Sequence, residues 1–431
     1  MMKWLANISL AGWLGLSLVL TMETFANEST NIVGVAVINT GFSGGEQRAE
    51  VSGQVLCVSG NSTVVRFYNL TNPAAPVLIG SVNVPGITHA IGHYAGFFYL
   101  AGDGWLRTFS CPSNSVVLTN STFTDFQIPV RISNKMKVHN GHIFLGTVVN
   151  GLAAPGEVWV FKLDDPAAPE FLSAAVGPVG SGMGDVAVRG DVLYACGYFD
   201  RQIHAFDISD IQIPRLVHTQ AAANHGDYAP FEPWRMLIQG DALYVQDDNT
   251  WQIFNIHNST NPVFVSALQV EKDIEGSRLV GDTLMWSASG VNGGTAGVLL
   301  YDCRNPFSPK LYCRTNFGSF SGYYWGEMDE SLIYQPQSSS LHIFSRPPLP
   351  ALVPAPVNFA TVTVAPGTVD FTWFGLINSA FHIEWSDSLV PAVWNQVAMT
   401  NTSATGVFTF TDDGSQTAPL GPARFYRLVQ P

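Results

Sequence analysis

The chain has 431 residues, of which 46% are hydrophobic and only 12% are charged, about half of the roughly 25% charged residues that soluble domains usually carry. Asp and Glu number 33 against 20 Lys and Arg, so the formal net charge is −13. A chain this acidic lacks the positive surface that attracts phosphate backbones and anionic lipids, which disfavours nucleic acid and anionic membranes as partners.

The N-terminus has the pattern of a secretory signal. Lys3 supplies a positive charge, Ile8–Thr21 is almost uninterrupted apolar sequence, and Thr24 and Ala26 are small residues placed before a cut at Asn27. Because the apolar run is shorter than the roughly 20 residues that span a bilayer, we predict a signal peptide over residues 1–26, with an uncleaved anchor as the alternative. No second apolar span follows, so the mature protein is expected to be secreted, periplasmic or at the cell surface.

One phrase recurs along the chain after the signal. Each copy of the phrase begins with an aromatic residue, which is followed eight positions later by Pro. The third residue of the copy is apolar and the fifth is Asp or Asn. The full copies begin at Tyr68, Phe161, Phe206, Phe254 and Tyr301, and degenerate copies begin at Phe109 and Phe344. Successive aromatic residues are 41, 52, 45, 48, 47 and 43 positions apart, and a period in the forties is typical of an array of supersecondary units.

A second element precedes each aromatic residue, as in "GQVLCV", "GDVLYA" and "GDALYV". A turn residue followed by an apolar pair is typical of a tight hairpin that enters a buried strand. The period alone would permit helical repeats, but the segments alternate β-branched and aromatic residues with a period of two. Four short strands per unit, repeated about seven times, predict an all-β fold, a seven-bladed β-propeller.

The ends of the repeat array predict how the ring closes. The last unit, "SGYYWGEM", "SLIYQPQ" and "SLHIFSRP", stops after three strands, and "NIVGVAVINTG" at residues 31–41 resembles an outer strand. Pairing the two would remove two exposed strand edges. Units ending in phrases such as "FDISDIQIP" resemble the bacterial LVIVD-repeat family over residues 31–346, a resemblance that implies the propeller fold and no catalytic residue.

The chain beyond the propeller changes in composition. Residues 347–356 belong to the stretch "RPPLPALVPAP", which predicts either an extended linker or a rigid docked loop. Residues 357–431 carry alternating strands such as "VDFTWFG" and "AFHIEWS" and predict a small β-sandwich. The marks "FHIEWSDSLVPAVW" and "RFYR" resemble the fibronectin type III-like domains that end many secreted bacterial proteins, which implies a module without a site of its own.

Few residues carry the signature of cofactor or metal chemistry. The five cysteines cannot all pair, and Cys303 with Cys313 is the one possible disulfide, the alternative for the others being small buried hydrophobic residues. His139 and His142 fall in a hairpin turn, where a solvated turn is favoured over a metal site. The glycine-rich stretches do not begin a helix, so we expect no phosphate-binding cofactor.

The longest connection between units, "QAAANHGDYAPFEPW", is the best candidate for a ligand site. Strand parity places it at the same end of the ring as the turn near Asp247 and the next connection between units. The ligand-binding candidates are His225, Asp227, Tyr228, Trp234, Asp247, Trp251 and Asp273. A histidine with carboxylates and aromatic rings at a channel mouth suits sugar binding or acid–base chemistry, and a structural insert is equally open.

Three functions remain open on the sequence. The first is a secreted, non-catalytic protein that recognises a protein or a polysaccharide through one propeller face. The second is an extracellular carbohydrate-active hydrolase or lyase, with its site at the propeller mouth. The third is a purely structural envelope protein.

Overall fold

A computed structural model shows an all-β protein. It describes residues 6–9, 32–42, 47–112, 115–122, 130–149, 154–197, 199–221, 233, 235–246, 250–269, 274–288, 297–315, 324–337, 339–350, 359–374, 380–388, 393–397, 401–403, 406–417 and 423–429. Within these ranges, no helix has the length and hydropathy needed to cross a membrane. The chain divides into two compact units, one of residues 28–302 and 310–348 and the other of residues 1–27, 303–309 and 349–431.

The described strands of residues 34–345 form seven antiparallel sheets, here called blades 1 to 7. In blades 1 to 6 the four strands pair in the order of the sequence, which is what short hairpin turns produce. The strands of blades 1 to 3 are Gln47–Ser52, Val55–Ser59, Val64–Asn69 and Val77–Asn83; Ala90–Tyr94, Phe97–Gly102, Trp105–Ser110 and Val117–Thr122; and Val130–His139, His142–Val149, Pro155–Lys162 and Glu170–Val179. The strands of blades 4 to 6 are Met183–Arg189, Val192–Gly197, Gln202–Asp207 and Arg215–Ala221; Arg235–Gln239, Ala242–Gln246, Thr250–Asn255 and Val263–Gln269; and Ile274–Val280, Thr283–Ala288, Gly297–Asp302 and Lys310–Arg314.

Blade 7 is built from both ends of the repeat array. Its strands are Glu327–Met328, Leu332–Gln337 and Ser340–Ser345, with Gly34–Asn39 as the outer strand. Ile38 pairs with Leu341 in an antiparallel register, so the predicted pairing of the first β segment with the last blade is confirmed. A short strand, Tyr324–Trp325, also pairs in parallel with the first strand of blade 1.

The first strands of the blades form a closed ring. Each contacts the first strand of the next blade, and that of blade 7 contacts that of blade 1. Apolar clusters fill the spaces between consecutive blades. In the cluster between blades 1 and 2, for example, the rings of Phe67 and Phe98 meet edge to face with centroids 5.5 Å apart. The core therefore lies between the sheets, which is why most strands are buried on both faces.

The repeated phrase forms one turn between the third and fourth strands. Its fifth residue accepts a hydrogen bond from the backbone N–H two positions later, at 2.9–3.3 Å, in all five full copies: Asn72, Asp165, Asp210, Asn258 and Asn305. Side-chain oxygens that bond to nearby backbone in this way favour turns. Its apolar third residue is buried in every full copy, and Leu70 also donates its N–H to the Gln54 carbonyl of the first hairpin turn at 2.7 Å.

The C-terminal part of the smaller unit is a two-sheet sandwich. One sheet contains Phe359–Ala365, Thr368–Phe374 and Val407–Asp412, and the other contains Ala380–Ser386, Asn395–Gln396, Asn401–Thr402, Ala423–Val429 and Ala6–Ser9. Their facing sides share a cluster that includes Trp373, Phe410 and Tyr426. Ala6–Ser9 lies within the predicted signal peptide, whose cleavage would remove this strand from the sheet edge.

The cysteines do not form the disulfide that the sequence suggested. Cys303 and Cys313 are both buried, and both carry free thiols, as do the other three cysteines. Burial raises the pKa of Cys313 to about 11. Because disulfide exchange requires a thiolate, this thiol is held in its unreactive form.

Candidate functional site

Of the ligand-binding candidates named from the sequence, only Trp251 lies within the described residues. Its indole ring is fully buried and stacks on Trp286, with centroids 5.7 Å apart and planes 2° from parallel. Tyr244 meets the same ring edge to face at 5.9 Å. Trp251 therefore packs between blades 5 and 6, and does not present its ring to a ligand at the channel mouth, as the sequence suggested. The other candidates, His225, Asp227, Tyr228, Trp234, Asp247 and Asp273, lie outside the described residues.

Register explains why Trp251 points inward. It pairs with Gln246 on the second strand of blade 5, and Gln246 pairs with Arg235 on the first. Residues paired directly across strands lie on the same face of a sheet. All three are at most 2% exposed, so this row faces the next blade and not the solvent.

The ring has two ends of different character. The hairpin end carries the turns between first and second strands and between third and fourth strands. The connection end carries the segments between blades and the turns between second and third strands. The turn between the third and fourth strands, here called the third turn, lies at the hairpin end. It is seven residues long in five blades: 70–76, 163–169, 208–214, 256–262 and 303–309. At the connection end the segments between blades vary from three residues, 180–182, to thirteen, 222–234.

The central channel contains a layer of charged side chains, which we call the charged layer. Four of them stand three positions before the first hairpin turn of their blade, and His93 of blade 2 joins them from the next position along the strand. Its members are Glu50, His93, Lys137, Arg278 and Glu327, from blades 1, 2, 3, 6 and 7. The charges of Glu50, Arg278 and Glu327 all influence the pKa of Lys137, so these groups lie close enough to interact electrostatically.

The acids of the charged layer are paired. Glu50 Oε1 lies 2.8 Å from His93 Nδ1, and this hydrogen bond is the largest cause that raises the pKa of His93. Glu327 Oε1 lies 2.7 Å from Arg278 Nε, and its charge is the largest cause that raises the pKa of Arg278. Each pair bridges two neighbouring blades, so the two pairs connect blades 6 and 7 and blades 1 and 2.

Towards the connection end, a second layer closes the channel. The Arg48 guanidinium lies 3.9 Å from the centroid of the Trp325 ring, and that of Arg235 lies 5.5 Å from it. Arg48 also donates to the Thr88 carbonyl at 2.9 Å. Arg48, Arg235 and Trp325 are 4%, 2% and 5% exposed, so solvent scarcely reaches this closed layer. Cations over an indole face are stabilised electrostatically even when water is excluded.

The chemistry open to the described channel residues is narrow. Cys57, paired across the strands with Glu50, has its pKa raised well above the usual thiol value, mainly by burial, so it is not a nucleophile. No group of three or more His, Cys, Asp and Glu within the described ranges could hold a metal ion. The paired acids give the charged layer an ionic, structural character, in which His93 and Arg278 are more exposed than the acids they pair with.

The described surface also has a shallow depression of about 180 Å³ at the connection end, where the chain enters blade 1. It is lined by Gly41, Phe42, Asn61, Ser62, Val64 and Arg66. Small-molecule sites usually enclose about 300–1,000 Å³. This depression is therefore too small for a drug-sized ligand.

Sequence reasoning missed the charged layer. Its signal was present, because aligning the blades on their first hairpin turn places Glu50, Lys137, Arg278 and Glu327 in one position. No short motif marks them, since each belongs to a different blade.

Comparison with solved structures shows the β-propeller fold. Similar structures include Sqt1 from Saccharomyces cerevisiae, with 10% identity and a TM-score of 0.52 over 74% of this chain and 100% of that one. The WD40 β-propeller domain of Doa1 has 9% identity and a TM-score of 0.55 over 74% and 98%. The periplasmic gluconolactonase PpgL of Pseudomonas aeruginosa has 13% identity and a TM-score of 0.52 over 67% and 96%. No protein-family model and no curated protein matches the chain.

Proposed function

We propose that this chain is a secreted, non-catalytic binding protein of the LVIVD-repeat type, which recognises a protein or a polysaccharide through the connection end of its propeller. The observation that carries the proposal is the contrast between the two ends. The third turn keeps its length and its Asx hydrogen bond in five blades, whereas the segments between blades range from three to thirteen residues.

Comparing the repeated blades distinguishes the turns that build the scaffold from the loops that are free to bind a partner. Turns that must close every blade keep one geometry, and loops free of that requirement can diverge and bind. Strand parity in the sequence predicts the connection end for six candidates: His225, Asp227, Tyr228, Trp234, Asp247 and Asp273.

The propeller fold does not choose between binding and catalysis. Its structural neighbours include a WD40 domain and a gluconolactonase, at identities that carry the fold alone. Binding is favoured because both acids of the charged layer, Glu50 and Glu327, are held in ion pairs with His93 and Arg278. A general acid or base must instead be free to exchange a proton with a substrate.

The test compares the two ends of the ring on a glycan array and on immobilised cell-wall polysaccharides. Trp234→Ala and Asp227→Ala alter the thirteen-residue connection, and the control Gln212→Ala alters an exposed turn residue of the hairpin end. We expect bound glycans to remain chemically unchanged, and binding to fall in the first two variants only. Glycan cleavage would establish the hydrolase or lyase alternative. Equal loss in all three variants would place recognition elsewhere.

A further inference from the structure

The depression at the connection end is formed by ring closure. The segment that follows the outer strand of blade 7 supplies Gly41 and Phe42, and blade 1 supplies Asn61, Ser62, Val64 and Arg66. Thr40 and Gly41 both donate their N–H groups to the Ser339 carbonyl of blade 7, at 2.8 and 3.2 Å. This segment is therefore fixed by backbone hydrogen bonds where it borders the depression.

Among the described residues that line the depression, Arg66 is the one charged side chain. Its guanidinium lies 4.6 Å from the centroid of the Phe42 ring and donates through Nη1 to the Thr40 carbonyl. Both partners are neutral, so they orient the guanidinium and leave its charge uncompensated. No carboxylate in the described part of the chain forms an ion pair with Arg66, and a guanidinium has further N–H donors to offer a ligand.

The turn between the second and third strands of blade 1 adds an ordered polar wall. Ser62 Oγ accepts from the Val64 N–H at 3.1 Å and donates to the Val64 carbonyl at 3.3 Å, and such local bonds fix a turn. Gly60 lies against the Phe42 ring, since a Cβ atom added there would be 2.6 Å from it. Asn61 is exposed on this turn. Its amide can both donate and accept hydrogen bonds.

The depression has the size of one six-membered ring. Its volume is about 180 Å³, and a cavity of about 150 Å³ is enough to hold benzene. Its lining offers a cation and an amide to a ligand, which suits a ring that carries polar substituents. Because the depression is shallow and lies at the surface, a polymer can continue beyond the ring that it holds.

We propose that this depression binds one carboxylate-bearing sugar ring, a hexuronate unit of an acidic polysaccharide. The carboxylate pairs with the Arg66 guanidinium, whose fork of N–H donors matches two carboxylate oxygens, and the Asn61 amide contacts ring hydroxyls. One negative charge matches the one cation of the lining. A phosphate monoester would carry more charge, which a chain with a net charge of −13 repels. This inference rests on the proposed function, because it names the class of polysaccharide that the connection end recognises.

The probe is methyl glucuronoside, titrated against the full chain near neutral pH at constant ionic strength and followed by saturation-transfer NMR. Methyl glucoside has the same ring without the charge, and acetate has the charge without the ring. Both should bind at least about tenfold more weakly than the glucuronoside, since each lacks part of the hydrogen bonding. Equal binding of the glucuronoside and the glucoside overturns the proposal.

The matched variants alter one position of the third strand in two neighbouring blades. Arg66→Gln should weaken glucuronoside binding by at least about tenfold, because it removes the charged hydrogen-bond donor. The control is Arg107→Gln. Arg107 is likewise the third residue of its strand and donates to a backbone carbonyl, that of Asn83, at 2.9 Å. This control should leave binding unchanged, and equal effects of the two variants overturn the proposal.

A second variant keeps the proposal testable if Arg66→Gln does not fold. Asn61→Ala alters an exposed turn residue, and surface substitutions of this kind change stability little. It should weaken glucuronoside binding by about threefold, the usual effect of losing one neutral hydrogen bond. Unchanged binding rejects the site.

The glycan array distinguishes failure of this inference from failure of the proposed function. Loss of acidic glycans in Arg66→Gln, with binding retained in Arg107→Gln, supports the hexuronate site. Binding confined to neutral glycans, and lost in Trp234→Ala, would overturn the hexuronate site and leave the proposed function in place. Binding of no glycan and no protein would overturn both.

Discussion

Single residues at the hairpin turns show where backbone strain remains. Ala95 opens the first turn of blade 2 with φ 50°, in the left-handed region, and Asn140 opens the same turn of blade 3 with φ 47°. This region is costly for most L-residues and is tolerated best by Gly and Asn. Ala95→Asn is therefore expected to raise the free energy of unfolding by about 0.5–1 kcal/mol, measured by denaturant titration.

The matched control for Ala95 is Gly53, which opens the turn of blade 1 with φ 56°. A Cβ atom added there would meet no heavy atom within 4 Å, so Gly53→Ala reports backbone strain alone. It should lower the free energy of unfolding by about 1–2 kcal/mol. If Ala95→Asn destabilises the protein while Gly53→Ala is neutral, strain is not the cause at either turn.

The His93–Glu50 pair predicts a pH dependence of stability. The hydrogen bond to Glu50 is the main cause that raises the pKa of His93 in the folded protein. The contribution of this hydrogen bond to the free energy of unfolding is therefore fully present below the unfolded pKa of about 6.5. It is lost as the pH rises through the pKa of His93 in the folded protein. We expect the free energy of unfolding, measured by denaturant titration across neutral pH, to decline less steeply with pH in His93→Gln than in the wild type.

The partner variant tests whether the pair itself causes this pH dependence. Glu50→Gln removes the charge that stabilises protonated His93, so it should remove the same part of the slope. The double variant should then show no further loss, because the two substitutions delete one interaction. Additive losses in slope would mean that His93 titrates independently of Glu50.

At the scale of elements, the repeat phrase predicted the hairpin-end turn because its chemistry is local. Asn72 and Asp210 both close the turn by bonding to the backbone two residues later, and such bonds depend on sequence neighbours alone. Trp251 could not be placed in the same way. Whether it faces solvent or the next blade depends on register with Gln246 and on a partner, Trp286, 35 positions away in the chain.

The charged layer was equally hidden from sequence reasoning. Lys137 and Arg278 are 141 positions apart in the chain and come within electrostatic range of each other only when the ring closes. Local propensity carries no information about such a pair. The fold could therefore be predicted from repeated local turns, whereas the channel residues required the assembled blades.

The sandwich contains a buried polar network that holds its last strands together. Asp412 is 1% exposed and accepts hydrogen bonds from Tyr426 at 2.6 Å, Thr417 at 2.7 Å, Gly414 at 2.9 Å and Arg424 at 3.2 Å. Burial alone would raise the pKa of Asp412, but the hydrogen bonds together outweigh burial and lower it. The stabilisation is therefore present above the unfolded pKa of about 3.9 and is lost as the pH falls through the folded value.

Asp412→Asn should lower the free energy of unfolding of the sandwich by about 3 kcal/mol at neutral pH, since it leaves the buried Arg424 without its buried carboxylate. The substitution should also remove the part of the loss of stability at low pH that protonation of Asp412 causes. The control is Asp387→Asn, which removes an exposed partner of Arg424 at 3.3 Å and should cost less than about 1 kcal/mol. Equal effects of the two variants, followed by denaturant titration, would show that the network does not depend on burial.

At the scale of the whole molecule, ring closure joins segments that are about 300 positions apart. Within the outer strand of blade 7, Ile38 is 9% exposed and packs with Leu341 and Tyr334, whereas its neighbour Val37 is 65% exposed. Both residues belong to the same antiparallel ladder, because each lies opposite a residue of Ser340–Ser345. Substitutions of the two side chains therefore distinguish the contribution of core packing to stability from the contribution of strand pairing.

Ile38→Ala is expected to lower the free energy of unfolding of the propeller by about 2–4 kcal/mol, because it leaves a cavity between blades 7 and 1. Val37→Ala should change it by no more than about 0.5 kcal/mol, as surface substitutions usually do. Denaturant titration followed by tryptophan fluorescence measures both. If closure is what holds the blades in a ring, Ile38→Ala should also raise the exposure of the Ser340–Ser345 strand to hydrogen exchange, since an unpaired edge loses its protection. Unchanged protection of that strand, together with unchanged stability, would mean that the ring stays intact without the packing of its closing strand.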